Sequence, residues 1–173
     1  LSIDLGGMLV LAGNEAGLTA FIRQAKPQGQ FPLRLHNHAA FHTVLQEPVA
    51  HAARHRFDPA MFVQPKIPMI DGRGAIWWPH ATDTDALFNY TLGDQITAPY
   101  NFAKAVTIAA REFAPDLFIV LGPGTTLGGA VAQSLIAAGW QGMSSKSDFQ
   151  TRQTQATLLT AMGHTDQRHE VTT

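Results

Sequence analysis

Residues 116–139 read DLFIVLGPGTTLGGAVAQSLIAAG, and their reading decides the fold class. After Asp116 the run 117–121 is wholly apolar, as strands covered on both faces of a parallel sheet are. GPGTTLGG (122–129) then turns the chain, and AVAQSLIAAG follows as a helix that Gly139 closes. A strand passing through a glycine turn into a helix is half of a parallel β-α-β unit.

The alternation continues upstream. GMLVLAG (7–13) predicts a buried strand. A helix capped by Asn14 follows, with Leu18, Phe21, Ile22 and Ala25 at helical spacing. PQGQ (27–30) is a turn and FPLRLH (31–36) a second strand, giving a strand–helix–strand unit. Thr43 caps the next helix, where Val44, Leu45 and Val49 are apolar and Pro48 is tolerated only near the first turn. KIPMIDG (66–72) reads as a strand ending in a turn, RGAIWWPHATDTD (73–85) as loop, and 83–90 as a short helix. A helix spans 99–115, opened by Pro99, ended by Pro115, with Phe102, Ala105, Val106 and Ala109 as its stripe. Alternating strands and helices predict an α/β fold. From Trp140 the chain turns polar and Gln/Thr-rich, an extension expected to pack through Phe149, Leu158, Leu159 and Met162.

Composition removes several functions. Of 173 residues, 45% are hydrophobic and 14% charged, which suits a globular protein with a core. A formal charge of −1 supplies no basic field, so nucleic acid is not an expected partner. The absence of cysteine excludes disulfides, thiolate–metal sites and a cysteine nucleophile. No apolar run reaches the roughly 18 residues of a membrane span. With no secretory signal in view, the expected location is cytoplasmic.

LRLHNHAAFHT (33–43) sets three histidines within seven positions. His36 and His38 alternate on one face of an extended segment, and His42 would complete a three-nitrogen zinc site of hydrolytic type. Asn37, Ala39 and Ala40 supply no acidic ligand, so polar strand-end histidines are the preferred reading. His51 and His55 stand one helical turn apart, but Arg54 and Arg56 beside them disfavour a cation. A solvated basic face is preferred there over a surface for an acidic partner. GPGTTLGG matches neither phosphate-loop spacing, and a tight strand-to-helix turn explains it. Asp71 could be the acid of a Ser-His-Asp set. The DGRG sequence favours a turn-shaping role.

Three stretches in this order carry a resemblance: AAFHTVLQEPV (39–49), QITAPYNFAKAV (95–106) and FIVLGPGTTLGGAV (118–131). Together they resemble the later part of malonyl-CoA:acyl carrier protein transacylases and the acyltransferase domains of polyketide and fatty acid synthases. LGGMLVLAG (5–13) is similar to a strand of that family's small ferredoxin-like subdomain. The resemblance runs from about residue 7 to 136. It implies part of an α/β-hydrolase-like parallel-sheet core with the second half of the small subdomain. Residues 1–37 would belong to that subdomain, 38–139 to the core, and 140–173 to a polar C-terminal extension.

On this resemblance His42 takes the place of the catalytic histidine. Gln95 takes the place of the glutamine whose main-chain carbonyl holds the ring. Tyr100 and Phe102 stand where Val and Trp are usual, and DLGG (4–7) replaces N-S-P. The implied reaction moves a malonyl or other acyl group from coenzyme A to an acyl carrier protein. Acyl-CoA would be substrate, and no permanently bound cofactor or metal is expected. The family's serine, in G-x-S-x-G, its carboxylate-holding arginine and its oxyanion-hole glutamine all lie upstream of the matched region. No G-x-S-x-G occurs here; Ser134 falls mid-helix, and Ser144, Ser145 and Ser147 fall in the polar segment. The opening LSIDLGGMLVLAG also suggests a chain entered partway through a domain. The expectation is therefore the C-terminal part of an acyltransferase, its alternatives being a non-catalytic carrier-binding lobe or a zinc hydrolase built on the histidines.

Overall fold

The computed structural model describes residues 1–35, 38–122 and 124–172. It is a mixed α/β structure with small sheets. In chain order the elements are β1 (Ile3–Asp4), β2 (Leu9–Val10), α1 (Glu15–Gln24), α2 (Glu47–Arg56), β3 (Met69–Ile70), β4 (Ile76–Trp77), α3 (Thr84–Asn89), α4 (Gln95–Thr97), β5 (Tyr100–Asn101), α5 (Phe102–Phe113), β6 (Phe118–Val120), α6 (Leu127–Ala137), α7 (Lys146–Gln155), β7 (Leu159–Ala161) and α8 (His169–Thr172). The strand orders are β2-β1-β5, β3-β4 and β6-β7. The chain forms two compact units: 1–3, 10–67 and 78–100 make the first; 4–9, 68–77 and 101–173 the second.

In the first unit, the Asn14 side chain accepts from Gly17 N–H and starts α1 as expected. Glu15 and Arg34 form a bidentate pair at 2.9 and 2.6 Å. The Arg34 guanidinium lowers the Glu15 pKa, and the carboxylate raises that of Arg34. The strand expected at 31–36 is not formed in its described residues. Phe31 instead closes a two-bond turn with Gln28, which consumes the start of the run. His36 and Asn37 lie outside the described residues.

A short 3-10 turn (Val44–Gln46) precedes α2, and Pro48 sits in the first turn of the helix, where its missing N–H costs nothing. Thr43 stands at the start as expected, but its hydroxyl bonds Ala40 O rather than capping the helix. Fully buried Ala50 and buried Gly93 give α2 a close approach to the π-helical turn Tyr90–Asp94. A Cβ at Gly93 would stand 2.5 Å from the Arg54 guanidinium. Leu87, Phe88 and Tyr90 are buried, with Phe62 edge-on to Phe88 at 5.4 Å.

The second unit is built on α5, α6 and the parallel pair β6-β7. Val106, Ala110, Val131, Leu135, Trp140 and Met143 form its core with Leu158. Phe118 packs edge-on against Trp140 at 5.3 Å. Helix α5 begins at Phe102, three residues after Pro99, because the Asn101 side chain accepts from Lys104 N–H and sets the cap there. Ala114, at φ 41°, and Pro115 end it. Within 73–85, read as loop, Ile76–Trp77 pairs antiparallel with Met69–Ile70.

Two expectations about strands need correction. The 7–13 run makes only the two-residue β2, with Leu9 exposed, since Gly6 at φ 79° turns the chain and Leu5 N–H bonds Met8 O. Nor is 116–122 covered on both faces: Ile119 is 41% and Leu121 81% exposed. Residues from Trp140 onward do pack through Phe149, Leu158 and Leu159, but they also supply core residues and the strand β7.

Candidate active site

The candidate site is assembled in the first unit by a helix that breaks. After the π-helical turn, α4 is cut short by Ala98 in extended conformation and Pro99. A continuing helix would bond Gln95 O to the N–H of residue 99 and Ile96 O to that of residue 100. Proline has no N–H, and Tyr100 N–H is spent on Ser2 O at 2.9 Å. Two carbonyls are left orphaned at the helix end.

His42 takes both. Its N–H donates to Ile96 O at 2.7 Å, and its Nδ1 lies 2.6 Å from Gln95 O. A carbonyl oxygen can only accept, so Nδ1 carries the proton and the neutral ring presents Nε2 as a bare acceptor. No group among the described residues bonds Nε2. The ring is half-buried and lies 5.3 Å from the Tyr100 ring, tilted by 54°.

His42 adopts φ 62°, the left-handed region that a non-glycine residue enters at a cost. Its neighbours hold it there: Ser2 Oγ donates to Phe41 O at 2.9 Å, and Thr43 Oγ1 to Ala40 O at 2.7 Å. A strained histidine clamped at its ring and its backbone has the form of a functional residue.

The structure thus brings His42 and Gln95 together. Ile96 O and Pro99 were missed in the sequence, although a proline four residues after a helical glutamine signals a freed carbonyl. His38 is exposed, its Nδ1 3.1 Å from Ala39 O. Any site including His36 lies outside the described residues. Among the described residues no group of three or more His, Cys, Asp or Glu side chains could hold a metal.

His51 and His55 stack with ring centroids 4.1 Å apart on the exposed side of α2, and Arg54 reaches Glu47 at 3.4 Å. Asp71 shapes the DGRG turn: its carboxylate accepts from the N–H groups of Arg73 and Ala75 and from the Arg73 guanidinium. Ser134 donates to Ala130 O inside α6, so its hydroxyl is structural. A cleft of about 580 Å³ opens beside Glu15, Arg34 and His38, where the Arg34 guanidinium is already occupied by Glu15.

No protein family, curated protein or solved structure matches the chain. No helix among the described residues is long and apolar enough to cross a membrane.

Proposed function

We propose that this chain is the histidine-bearing, C-terminal part of an acyltransferase that moves malonyl from coenzyme A to the phosphopantetheine thiol of an acyl carrier protein. The observation that carries the reading is the 2.6 Å contact between His42 Nδ1 and Gln95 O, which leaves Nε2 free to take a proton. The order of AAFHT, QITAP and the G-P-G turn supports the same family, and with it an α/β-hydrolase-like core beside a small ferredoxin-like lobe.

In this mechanism Nε2 accepts the proton of a serine hydroxyl while the serine oxygen attacks the thioester carbonyl. The imidazolium then gives that proton to the departing thiolate of coenzyme A. In the second half-reaction Nε2 deprotonates the carrier's thiol, which attacks the acyl-serine, and the proton returns to the serine oxygen. A carbonyl partner on Nδ1 stabilises the imidazolium less than a carboxylate would, and still fixes the tautomer that both halves need. The serine lies, on this reading, in polypeptide outside these 173 residues.

The test is a two-step assay. The chain together with its serine-bearing polypeptide should form a malonyl-serine with malonyl-CoA and pass it to the carrier with ping-pong kinetics. The purified 173 residues should do neither. Transfer by these residues alone would overturn the proposal, and carrier binding without any acyl-serine would favour a non-catalytic lobe.

A further inference from the structure

Helix α2 carries two imidazoles on one exposed strip. His51 and His55 stand four residues apart, so successive turns place them one above the other, about 6 Å along the axis. Their ring centroids are 4.1 Å apart and the ring planes are tilted by 31°. Both residues are open to solvent.

The helix itself fixes the protonation pattern of one ring. His55 Nδ1 lies 2.8 Å from His51 O, and a carbonyl only accepts. Nδ1 therefore carries the proton, and Nε2 of the neutral ring is left with a bare lone pair. Histidines that ligate metals are held in this way, one nitrogen donating to a carbonyl and the other turned to the ion. Among the described residues nothing bonds the ring nitrogens of His51, so one of them can turn to the same side.

Arg54 and Arg56 argue against a cation when only the sequence is read, and the structure moves both aside. Arg54 leans on Gly93, its Nη1 2.5 Å from where a Cβ there would stand, and its Nη2 reaches Glu47 at 3.4 Å. That carboxylate offsets its charge. Arg56 follows His51 by five residues and His55 by one, about 140° and 100° round the axis, so it points away from the strip.

We infer that His51 and His55 chelate a borderline divalent transition cation, copper(II) ahead of nickel(II) and zinc(II), through one nitrogen of each ring. A small rotation of the stacked rings brings both nitrogens to a common ion at about 2.0–2.1 Å. Among the described residues no third His, Cys, Asp or Glu side chain joins them, so water completes the shell and the ion exchanges. Two imidazoles select these metals over magnesium and calcium, which take oxygen ligands. The inference stands on α2 alone and does not require the acyl-transfer reading. A stacked pair of imidazoles with no affinity for metal is the competing outcome.

The experiment titrates copper(II) chloride into the ¹⁵N-labelled 173-residue chain and follows paramagnetic broadening of its amide signals. Substoichiometric copper should broaden the amides of α2 around His51 and His55, and magnesium chloride should leave them unchanged. His51→Ala and His55→Ala should each raise the copper Kd read from those signals by roughly 10²-fold, because two linked donors are cut to one. Alanine is the best helix former, so α2 survives either substitution. His38→Ala is the control and should leave the α2 response as it was. Amides of α2 that stay sharp at an equivalent of copper, broadening that survives either α2 substitution or depends on His38, or an equal response to magnesium would each overturn the inference.

Discussion

His42 is defined by what surrounds it rather than by its own propensity. A residue at φ 62° gives up stability unless something holds it, and here two orphaned carbonyls and two side-chain hydroxyls do so. Long-range ¹H–¹⁵N spectra of the chain should find the His42 proton on Nδ1 and Nε2 unprotonated in the neutral ring. The opposite tautomer would contradict the arrangement. Pro99→Ala restores an N–H that can compete for Gln95 O, so it should loosen the ring and mix the tautomers in the same spectra; an unchanged spectrum would show that the proline does not free the carbonyl. This site was partly legible in the sequence. The Gln95 carbonyl came from the family resemblance, whereas the reason it is available lies in Pro99 and in a bond from Tyr100 to Ser2 that no local pattern announces.

Among the elements, turns and caps carry the sharpest expectations. The Asp71 side chain is 2% exposed and accepts from two backbone N–H groups and two guanidinium N–H groups at once. Asp71→Ala leaves those donors without a partner in the β3-β4 hairpin. It should cost about 2–3 kcal/mol in urea unfolding followed by tryptophan fluorescence. A change below experimental error would mean that water replaces the carboxylate.

Along β7, Gln153 Oε1 accepts from the N–H groups of Leu158 and Leu159, and Gln167 Oε1 from Ala161 N–H. Gln153→Ala uncaps β7 and should cost about 1–3 kcal/mol, with faster exchange of the Leu158 and Leu159 amides as the local readout. At α7 the Ser144 backbone N–H and hydroxyl, then Ser145, hold the Asp148 pKa below 3.8. The folded value is the lower one, so the contribution of Asp148 is complete above about pH 3.8 and is lost as the pH falls through the folded value. Asp148→Asn should remove that pH dependence from the amide exchange of the first turn of α7, and an identical profile would count against it.

Capped helices were the easiest elements to read: α1 has a clear start in Asn14, and α5 and α6 have clear stops in Pro115 and Gly139. Strands were harder, because Leu9 and Leu35 look as buried in sequence as Leu135, and only partners decide. Glutamine side chains closing β7 could not be foreseen, since Gln153 and Gln167 sit in a stretch whose composition suggests nothing but solvent.

At the scale of the molecule, the first unit carries both proposed sites: an imidazole with a free nitrogen at His42, and the paired rings of His51 and His55. Sequence order supplied the family resemblance because the A-F-H, Q-x-T-x-P and G-P-G segments recur in sequence order, whereas exposure of Ile119 and Leu121 depends on what surrounds the strand. The central claim is that His42 is the proton acceptor in acyl transfer. It is tested most directly by the malonyl transfer rate of His42→Ala and His42→Asn in the chain joined to the proposed serine-bearing polypeptide. Asparagine tolerates the left-handed backbone, so that variant keeps the loop while losing the base. Both should fall by roughly 10²–10⁴-fold with folding intact; turnover of either within about twofold of the parent, measured against that same expectation, would contradict the account.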